Sequence, residues 1–260
     1  MNHPLPIELA TGPLAHGHLP AICAPLVAGT VDALVEETAA IADKEPDLLE
    51  WRVDFFEGIA DTDQVLEAAW RIRQAAPGIP LLFTRRSRRE GGQPIDLAEE
   101  AVLDLYHAVC KSGLVALVDY EMGNEPEHVN RVRNLSRRCG VKLVLSYHNF
   151  QETPPEDELV AKFRTARQLD ADVAKVAVMP GSLDDVLTVL RATLLASHEV
   201  RIPVISMAMG GYGALTRLCG GVFGSALTFA VGASSSAPGQ VPIEDVRAAL
   251  ALLRKAMGEA

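Results

Sequence analysis

Residues 142–179, KLVLSYHNFQETPPEDELVAKFRTARQLDADVAKVAVM, decide the fold. The segment begins and ends with short apolar runs, Lys142–Asn149 and Val173–Met179, which are typical of strands buried on both faces. Between them, Pro155–Leu169 has the apolar periodicity of an amphipathic helix. A strand, a helix and a second strand in this order predict two parallel strands joined by a right-handed crossover.

The same alternation continues in both directions along the chain. Six further candidate strands are Ala21–Ala28, Asp47–Phe55, Pro80–Arg86, Leu114–Met122, Pro203–Met209 and Phe223–Val231. Further helical patterns follow the N-cap Thr30 and cover Asp61–Ala75, Asp96–Ser112, Glu127–Cys139, Leu183–His198 and Ile243–Met257, with the weakest at the glycine-rich Gly210–Gly221. Eight such units in about 250 residues predict an α/β protein with a TIM (β/α)8 barrel. The alternative is a doubly wound sheet, which normally has fewer strands.

The sequence also predicts an N-terminal cap and the number of domains. Residues 1–20 precede the first strand, and we expect them to form a short cap at the N-terminal end of the barrel. The sequence has no linker, repeat or low-complexity tract, so one domain over 1–260 is expected.

A net charge of -10 argues against nucleic acid or an anionic membrane as a partner. No apolar stretch is long enough to span a bilayer, and the first residues do not have the pattern of a secretory signal. The four cysteines (Cys23, Cys110, Cys139 and Cys219) are far apart in the sequence and form no C-x-x-C pair. This spacing argues against a structural metal site or a disulfide framework and indicates a cytoplasmic protein.

Lys175 is the anomaly in the last strand of the opening segment, because it is a charged residue in an otherwise apolar run. A buried ammonium loses its water, which favours the neutral amine. A neutral amine is a nucleophile that can form an imine with a ketone or an aldehyde. The alternative is a lysine whose long side chain reaches solvent at the end of the strand.

Polar side chains cluster where each predicted strand ends, which is where TIM barrels carry their chemistry. Such residues include Glu50, Arg52, Arg86, His148 and Lys175. Residues two apart in a strand share a face, so Glu50 and Arg52 should point together, as should Asp119 with Glu121 and Ser146 with His148. If Lys175 faces the interior, Val173, Ala177 and Met179 do so as well.

Each of these features also has a purely structural explanation. Glu50 and Arg52 could form a structural ion pair, and a lone histidine such as His148 is more often a hydrogen-bonded structural residue than a catalyst. Glu90 could be a solvated loop acid, and Met207 and Met209 could fill the core. Their joint placement at one rim favours an active site.

The chain resembles the type I 3-dehydroquinate dehydratase (dehydroquinase) family. The resemblance is carried by eight segments in the family's order: E-W-R-V-D from Glu50, R-S-R-R-E-G-G from Arg86, S-Y-H-N-F-Q-E-T-P from Ser146, V-A-K-V-A-V-M-P from Val173, I-S-M-A-M-G from Ile205, T-R-L from Thr216, F-G-S-A-L-T-F-A from Phe223 and S-A-P-G-Q from Ser236. It implies a TIM barrel that is usually a homodimer and uses neither a metal nor an organic cofactor. The implied reaction is the dehydration of 3-dehydroquinate to 3-dehydroshikimate in the shikimate pathway.

The resemblance also implies roles for individual residues. Lys175 would form the imine, His148 would move protons, and Glu90 would lie beside it. Arg217 would hold the substrate carboxylate. The remaining matches to substrate-binding positions are Glu50, Arg52, Arg86, Met207, Met209, Phe229, Ser236, Ala237 and Gln240. Asn149 stands where many relatives have Asp, which could alter the surroundings of the histidine.

Two alternatives remain open at this stage. A class I aldolase is also a Schiff-base barrel, but it would not need the carboxylate-binding arginine or the S-A-P-G-Q loop. A barrel that binds ligand without turnover would not need the intact lysine, histidine and arginine set. The sequence does not distinguish aromatic biosynthesis from quinate breakdown.

Overall fold

Eight parallel strands form the wall of a barrel in the computed structural model, which describes residues 6–9, 11–14 and 19–258. These strands are β3 Ala21–Leu26, β4 Leu48–Arg52, β5 Leu81–Thr84, β6 Leu117–Glu121, β7 Lys142–Asn149, β8 Val173–Val178, β9 Val204–Ala208 and β10 Leu227–Val231. From β3 to β9 each strand pairs in parallel with the next one in chain order, and β10 pairs in parallel with β3. The backbone N–H of Ala226 donates to the carbonyl of Val204 at 2.7 Å, which joins β9 to the start of β10 and closes the barrel.

Eight helices alternate with these strands, as the sequence predicts. They are α1 Val31–Ala42, α2 Thr62–Ala75, α3 Glu99–Ser112, α4 Pro126–Cys139, α5 Glu156–Gln168, α6 Leu183–Glu199, α7 Gly210–Cys219 and α8 Ile243–Met257. The predicted TIM barrel is therefore confirmed, including the helix with the weakest pattern. A short strand, β11 (Val241–Pro242), extends the sheet beside β10 and was not predicted.

Local signals place the helix ends. The side chain of Ser182 accepts the backbone N–H of Asp185, whose own side chain returns to Ser182, so a capping box begins α6. Helix α3 ends at Gly113, whose φ of 70° few other residues adopt. Several predicted boundaries were too generous: the strands predicted over Pro80–Arg86, Leu114–Met122 and Phe223–Val231 cover only Leu81–Thr84, Leu117–Glu121 and Leu227–Val231. Helix α3 begins at Glu99 rather than Asp96, and the strand predicted to reach Phe55 ends at Arg52 because residues 53–55 form a 3-10 turn.

A hairpin covers the N-terminal end of the barrel. Its strands, β1 (Ile7–Leu9) and β2 (Gly12–Leu14), are antiparallel, and Ile7 and Leu14 are buried. Both belong to one apolar cluster with Cys23, Leu48 and Leu82, which lie inside the barrel. The predicted N-terminal cap is thus confirmed for these residues, whereas residues 1–5, 10 and 15–18 lie outside the described part of the chain.

Strand alternation separates two apolar clusters and fixes the direction of Lys175. Val173 and Ala177 pack inside the barrel, whereas Ala174, Val176 and Val178 pack outward with the helices. The alternation therefore directs the side chain of Lys175 into the interior. Among the described residues, no helix is both long enough and apolar enough to cross a membrane.

Candidate active site

The amine of Lys175 lies inside the barrel between two carboxylates. Its Nζ is 3.2 Å from Oε1 of Glu50 and 3.2 Å from Oδ2 of Asp119. The face of the Phe229 ring, whose centroid is 4.4 Å from Nζ, covers a third side. The residue is 4% exposed, so its side chain does not reach bulk solvent as a snorkelling lysine would. Two opposite charges and an aromatic face compensate for the burial of the ammonium.

Arg86 supplies the positive charge that holds Asp119 in place. Its Nη2 donates to Oδ1 of Asp119 at 2.7 Å, and its Nη1 donates to Ser146 Oγ at 2.8 Å and to Oε1 of Glu121 at 3.3 Å. Burial alone would raise the pKa of Asp119, but Arg86 and Lys175 outweigh it and hold that pKa below its ordinary value. Asp119 therefore stays ionised in the interior.

Glu90 fixes the imidazole of His148. Oε2 of Glu90 accepts the backbone N–H of His148 at 3.0 Å and lies 2.8 Å from ring Nδ1. When Glu90 is ionised, its oxygens can only accept hydrogen bonds, so Nδ1 carries the hydrogen in this bond. Nε2 is then the lone-pair nitrogen, and it has no hydrogen-bond partner in the described part of the chain.

The surroundings hold this imidazole in its neutral form. Burial lowers the pKa of His148 well below 6.5, and the positive charges of Arg86 and Lys175 act in the same direction. Burial also raises the pKa of Glu90 to about 8, assisted by the neighbouring acids Glu121 and Asp119 against the opposing charge of Arg86. A neutral imidazole with a free Nε2 can accept a proton near neutral pH.

Arg52 joins the barrel rim to the loop after β10. Its guanidinium forms a bidentate ion pair with Asp54, in which both N–O distances are 2.8 Å. Its Nη1 also donates to the carbonyl of Ser236 at 3.4 Å. Gln240 supports this loop, because its Oε1 accepts the backbone N–H of Ser236 at 3.0 Å. The loop therefore stands over the C-terminal ends of the strands.

Arg217 is a buried cation without an acidic partner among the described residues. It is 1% exposed, and its Nη atoms donate to the carbonyls of Phe229 at 3.4 Å and of Pro238 at 3.2 Å. Its Nε has no partner in that part of the chain. Burial lowers the pKa of Arg217 to about 10. An anion would supply the charge compensation that the protein does not.

A cleft opens at this end of the barrel and brings the predicted site residues together. Its empty volume, including the open mouth, is about 440 Å³. The lining residues are Glu50, Arg52, Arg86, Glu90, Gly91, His148, Phe150, Lys175, Ala177, Met207, Met209, Phe229, Ser236, Ala237 and Gln240. Every residue that the sequence assigned to the site is among them except Arg217, which donates to the carbonyls of Phe229 and Pro238. Methionine and aromatic side chains form the apolar part of the lining, and acidic and basic side chains form the charged part.

Sequence reasoning assigned no role to two residues, Asp119 beneath the cleft and Phe150 in its lining. Asp119 was noted near a strand end but given no role. It lies two residues before Glu121 and therefore on the same face of β6, which already indicated an interior position. Phe150 lines the mouth beside Gly91, where an added Cβ would lie 2.4 Å from the ring, so these two positions constrain each other. Nothing in the sequence pattern indicates that contact.

Asn149 does not contact the imidazole. Its Oδ1 accepts the backbone N–H groups of Gln151 at 2.8 Å and Glu152 at 3.2 Å. Adjacent strand residues face opposite sides, so this side chain points away from His148. An aspartate could accept the same two bonds.

The site offers no ready metal ligands. Within the described ranges, no group of three or more His, Cys, Asp and Glu side chains is arranged to hold a metal ion. Its acids are instead held by Arg86, Arg52 and Lys175. The chemistry that the cleft can perform with its own side chains is amine addition and proton transfer.

This chain is similar to known proteins in both sequence and fold. The family model described as type I 3-dehydroquinase matches residues 22–257. The 3-dehydroquinate dehydratase of Albidiferax ferrireducens is 56% identical over 259 residues, which is 100% of this chain and 98% of that protein. The crystal structure of 3-dehydroquinate dehydratase from Geobacillus kaustophilus HTA426 has a TM-score of 0.95 at 50% identity and covers 98% of this chain and 99% of its own. Type I 3-dehydroquinate dehydratase from Clostridium difficile, crystallised with covalently modified comenic acid, has a TM-score of 0.93 at 35% identity, with 97% of this chain and 99% of its own covered.

The surroundings of His148 generate a prediction about its protonation. Because burial and nearby cations disfavour the imidazolium, we expect the His148 ring to stay neutral down to a pH below 6.5. Histidine-selective nitrogen NMR across pH 5 to 8, with His148→Gln to assign the signal, measures this directly. Exposed His107 provides an internal comparison on the outer surface. A His148 ring that titrates at or above pH 6.5 would contradict the expectation.

Proposed function

This chain belongs to the type I 3-dehydroquinase family, and we propose that it dehydrates 3-dehydroquinate through a Schiff base on Lys175. Members of the family are lyases of the shikimate pathway, and loss of water from 3-dehydroquinate is the reaction of this chain. The observation that carries the proposed mechanism is the Lys175 amine, which lies inside the barrel beneath a cleft that also holds His148.

A Schiff base solves the chemical difficulty of this dehydration. The hydrogen to be removed lies beside a ketone and is only weakly acidic. Converting the ketone to a protonated imine with Lys175 gives the developing carbanion an electron sink, so one difficult step becomes several easier ones. Compensation by Glu50 and Asp119 at 3.2 Å allows a positive nitrogen at this depth both before and after the imine forms.

His148 is the proposed proton shuttle. Its Nε2 remains free because Glu90 occupies Nδ1. A neutral ring can take the proton beside the imine and then return it to the departing hydroxyl, and the same ring can assist imine formation and hydrolysis. Glu90 orients the ring and fixes its tautomer.

The remaining cleft residues hold the substrate. Arg217 offers a planar fork without a protein acid, which suits a carboxylate. Because its guanidinium already donates to the carbonyls of Pro238 and Phe229, the proposed contact requires the carboxylate to compete with them. The hydroxyl groups and ring of the substrate would contact Glu50, Arg52, Arg86, Met207, Met209, Phe229, Ser236, Ala237 and Gln240.

Reductive trapping tests the imine. When wild-type protein, 3-dehydroquinate and borohydride are mixed, we expect about one covalent adduct per chain on Lys175, located by peptide mass spectrometry. Lys175→Met should form none, and Lys111→Met, changed on the exposed surface of α3, should trap like wild type. The enone absorbance of 3-dehydroshikimate follows the reaction in parallel. Product formation without any adduct would reject the imine, whereas cleavage of sugar phosphates would instead favour an aldolase.

Replacing the imidazole separates proton transfer from imine formation. We expect His148→Ala to lower turnover by roughly 10²–10⁴-fold, which is the usual contribution of a positioned acid or base, while the adduct on Lys175 can still be trapped. Asn149→Asp is a matched control on the adjacent residue, because its side chain points away from the ring, and its turnover should stay within about twofold of wild type. Near-normal turnover of His148→Ala would reject this role.

We also propose a cytoplasmic location, a biosynthetic role in aromatic amino-acid formation and a single domain. Free thiols at Cys23, Cys110, Cys139 and Cys219 support the location. The closed circuit of strands from β3 to β10 supports one domain. Cell fractionation, aromatic auxotrophy on gene deletion and the number of unfolding transitions test these three points.

Exposed apolar side chains on α6 and α7 support a homodimer. Leu187 on α6 is 56% exposed, and Tyr212 and Leu215 on the neighbouring α7 are 53% and 50% exposed. Apolar surface shared by two adjacent helices is typical of an interface, and a two-fold dimer is the commonest way to cover it.

Sedimentation velocity tests this interface. We expect wild type to have twice the chain mass of 27.9 kDa, and Leu187→Glu with Leu215→Glu to shift it toward the monomer. Leu252→Glu, on the exposed face of α8, is the matched control and should remain dimeric. A monomeric wild type, or a double variant that stays dimeric, would contradict the assignment.

A further inference from the structure

We propose that Asp119 is a catalytic residue, because its carboxylate is the permanent counter-ion of the reacting nitrogen of Lys175. This inference rests on the proposed Schiff base. It assigns a role to a side chain that is fully buried and does not line the cleft.

The two carboxylate oxygens of Asp119 contact different groups. Oδ1 accepts Arg86 Nη2 at 2.7 Å and Ser146 Oγ at 2.6 Å, so the carboxylate cannot turn. Oδ2 is left to face Lys175 Nζ at 3.2 Å. The carboxylate is therefore aimed at the nitrogen by bonds that do not involve the substrate.

Glu50 cannot fill this role alone. It lies at the same distance from Nζ, but it lines the cleft, where the hydroxyl groups of a substrate can reach it. Its Oε1 also accepts the hydroxyl of Thr84 at 3.0 Å. Once substrate occupies the cleft, Asp119 is the carboxylate beside Nζ that substrate does not touch.

The charge balance of imine formation explains why a permanent counter-ion is useful. The ammonium of Lys175 and the ketone become a protonated imine and water: a C–N bond forms, the C–O double bond breaks, and the carbonyl oxygen leaves with two hydrogens from the nitrogen. The nitrogen carries one positive charge before and after the step, so the same carboxylate can compensate for both. When the adjacent proton leaves and the nitrogen becomes neutral, Arg86 still holds Asp119 as an anion.

Asp119→Asn tests this role, since asparagine has the same shape and no charge. Trapping with cyanoborohydride between pH 6 and 9 measures the protonated imine on Lys175. We expect the adduct yield of the variant to fall at a lower pH than the adduct yield of wild type. At pH 8.5 the variant should give about tenfold less adduct than wild type, or less than that. A contacting opposite charge shifts a proton equilibrium by roughly one to three pH units.

A second measurement distinguishes charge from simple structural damage. Methyl acetimidate modifies only the neutral amine, so Lys175 in Asp119→Asn should react faster than in wild type at pH 7.5, and the difference should vanish at a pH where both amines are neutral. Damage that merely opens the site would raise the rate equally at every pH, which would overturn the proposal.

Glu121→Gln is the matched control. Glu121 lies on the same strand and also bonds Arg86, but it makes no bond to Lys175. Its adduct loss should be clearly smaller than that of Asp119→Asn, and equal losses would overturn the proposal. Should Asp119→Asn fail to fold, Ser146→Ala removes one bond that aims the carboxylate and should shift the adduct yield in the same direction by about fivefold. An unchanged yield would then count against the role.

The outcomes also separate this inference from the proposed mechanism. If wild type gives no adduct, the Schiff base itself fails. If wild type gives the adduct and Asp119→Asn gives the same yield at every pH, the Schiff base stands and the role of Asp119 is rejected.

Discussion

The pairing of Lys175 with Glu50 and Asp119 is the interaction on which the active site depends. A lone ammonium inside a barrel would lose several kcal/mol of hydration, and two carboxylates at 3.2 Å offset that loss. Asp119 and the neighbouring Glu121 are themselves buried and would repel each other without Arg86, which bonds both. The carboxylates thus stabilise the buried amine of Lys175, and Arg86 stabilises the carboxylate of Asp119. As a result, the barrel interior is polar at one end.

Most of the fold follows from local pattern in the sequence. Strands of this barrel are short apolar runs, because both faces are covered, and the helices between them carry an apolar stripe and clear end signals such as Ser182 and Gly113. Strand alternation then predicts which residues meet inside, and it correctly directs Lys175 inward. Residues that come from remote segments, such as Glu50 and His148, converge because all eight strands end at the same rim.

The contacts that tune the chemistry could not be predicted in the same way. Asp119 was visible as an interior acid, but its contact with Lys175 depends on the reach of two side chains from strands that are not neighbours. Arg217 was assigned to the cleft by resemblance, yet its guanidinium, carried by α7, is buried against Met207 and the carbonyl of Phe229. The hairpin at the barrel bottom has too few residues for a periodic pattern, and Ile7 and Leu14 gain their burial from strands far along the chain.

Strand register gives the site its division of labour. Ser146 pairs with Lys175, and His148 pairs with Ala177, so the backbone of His148 lies one interior step, about 6.6 Å, closer to the C-terminal rim than the backbone of Lys175. The amine is therefore deepest, where buried charges can compensate a cationic nitrogen. The imidazole is placed above it, where the same cations keep it neutral and Glu90 fixes its tautomer. Exchanging the two positions would fail on electrostatic grounds, since the base would then be bonded by the carboxylates and the lysine would face Glu90 alone. In the proposed mechanism, the order of residues along two adjacent strands thus determines which group carries charge and which group moves protons.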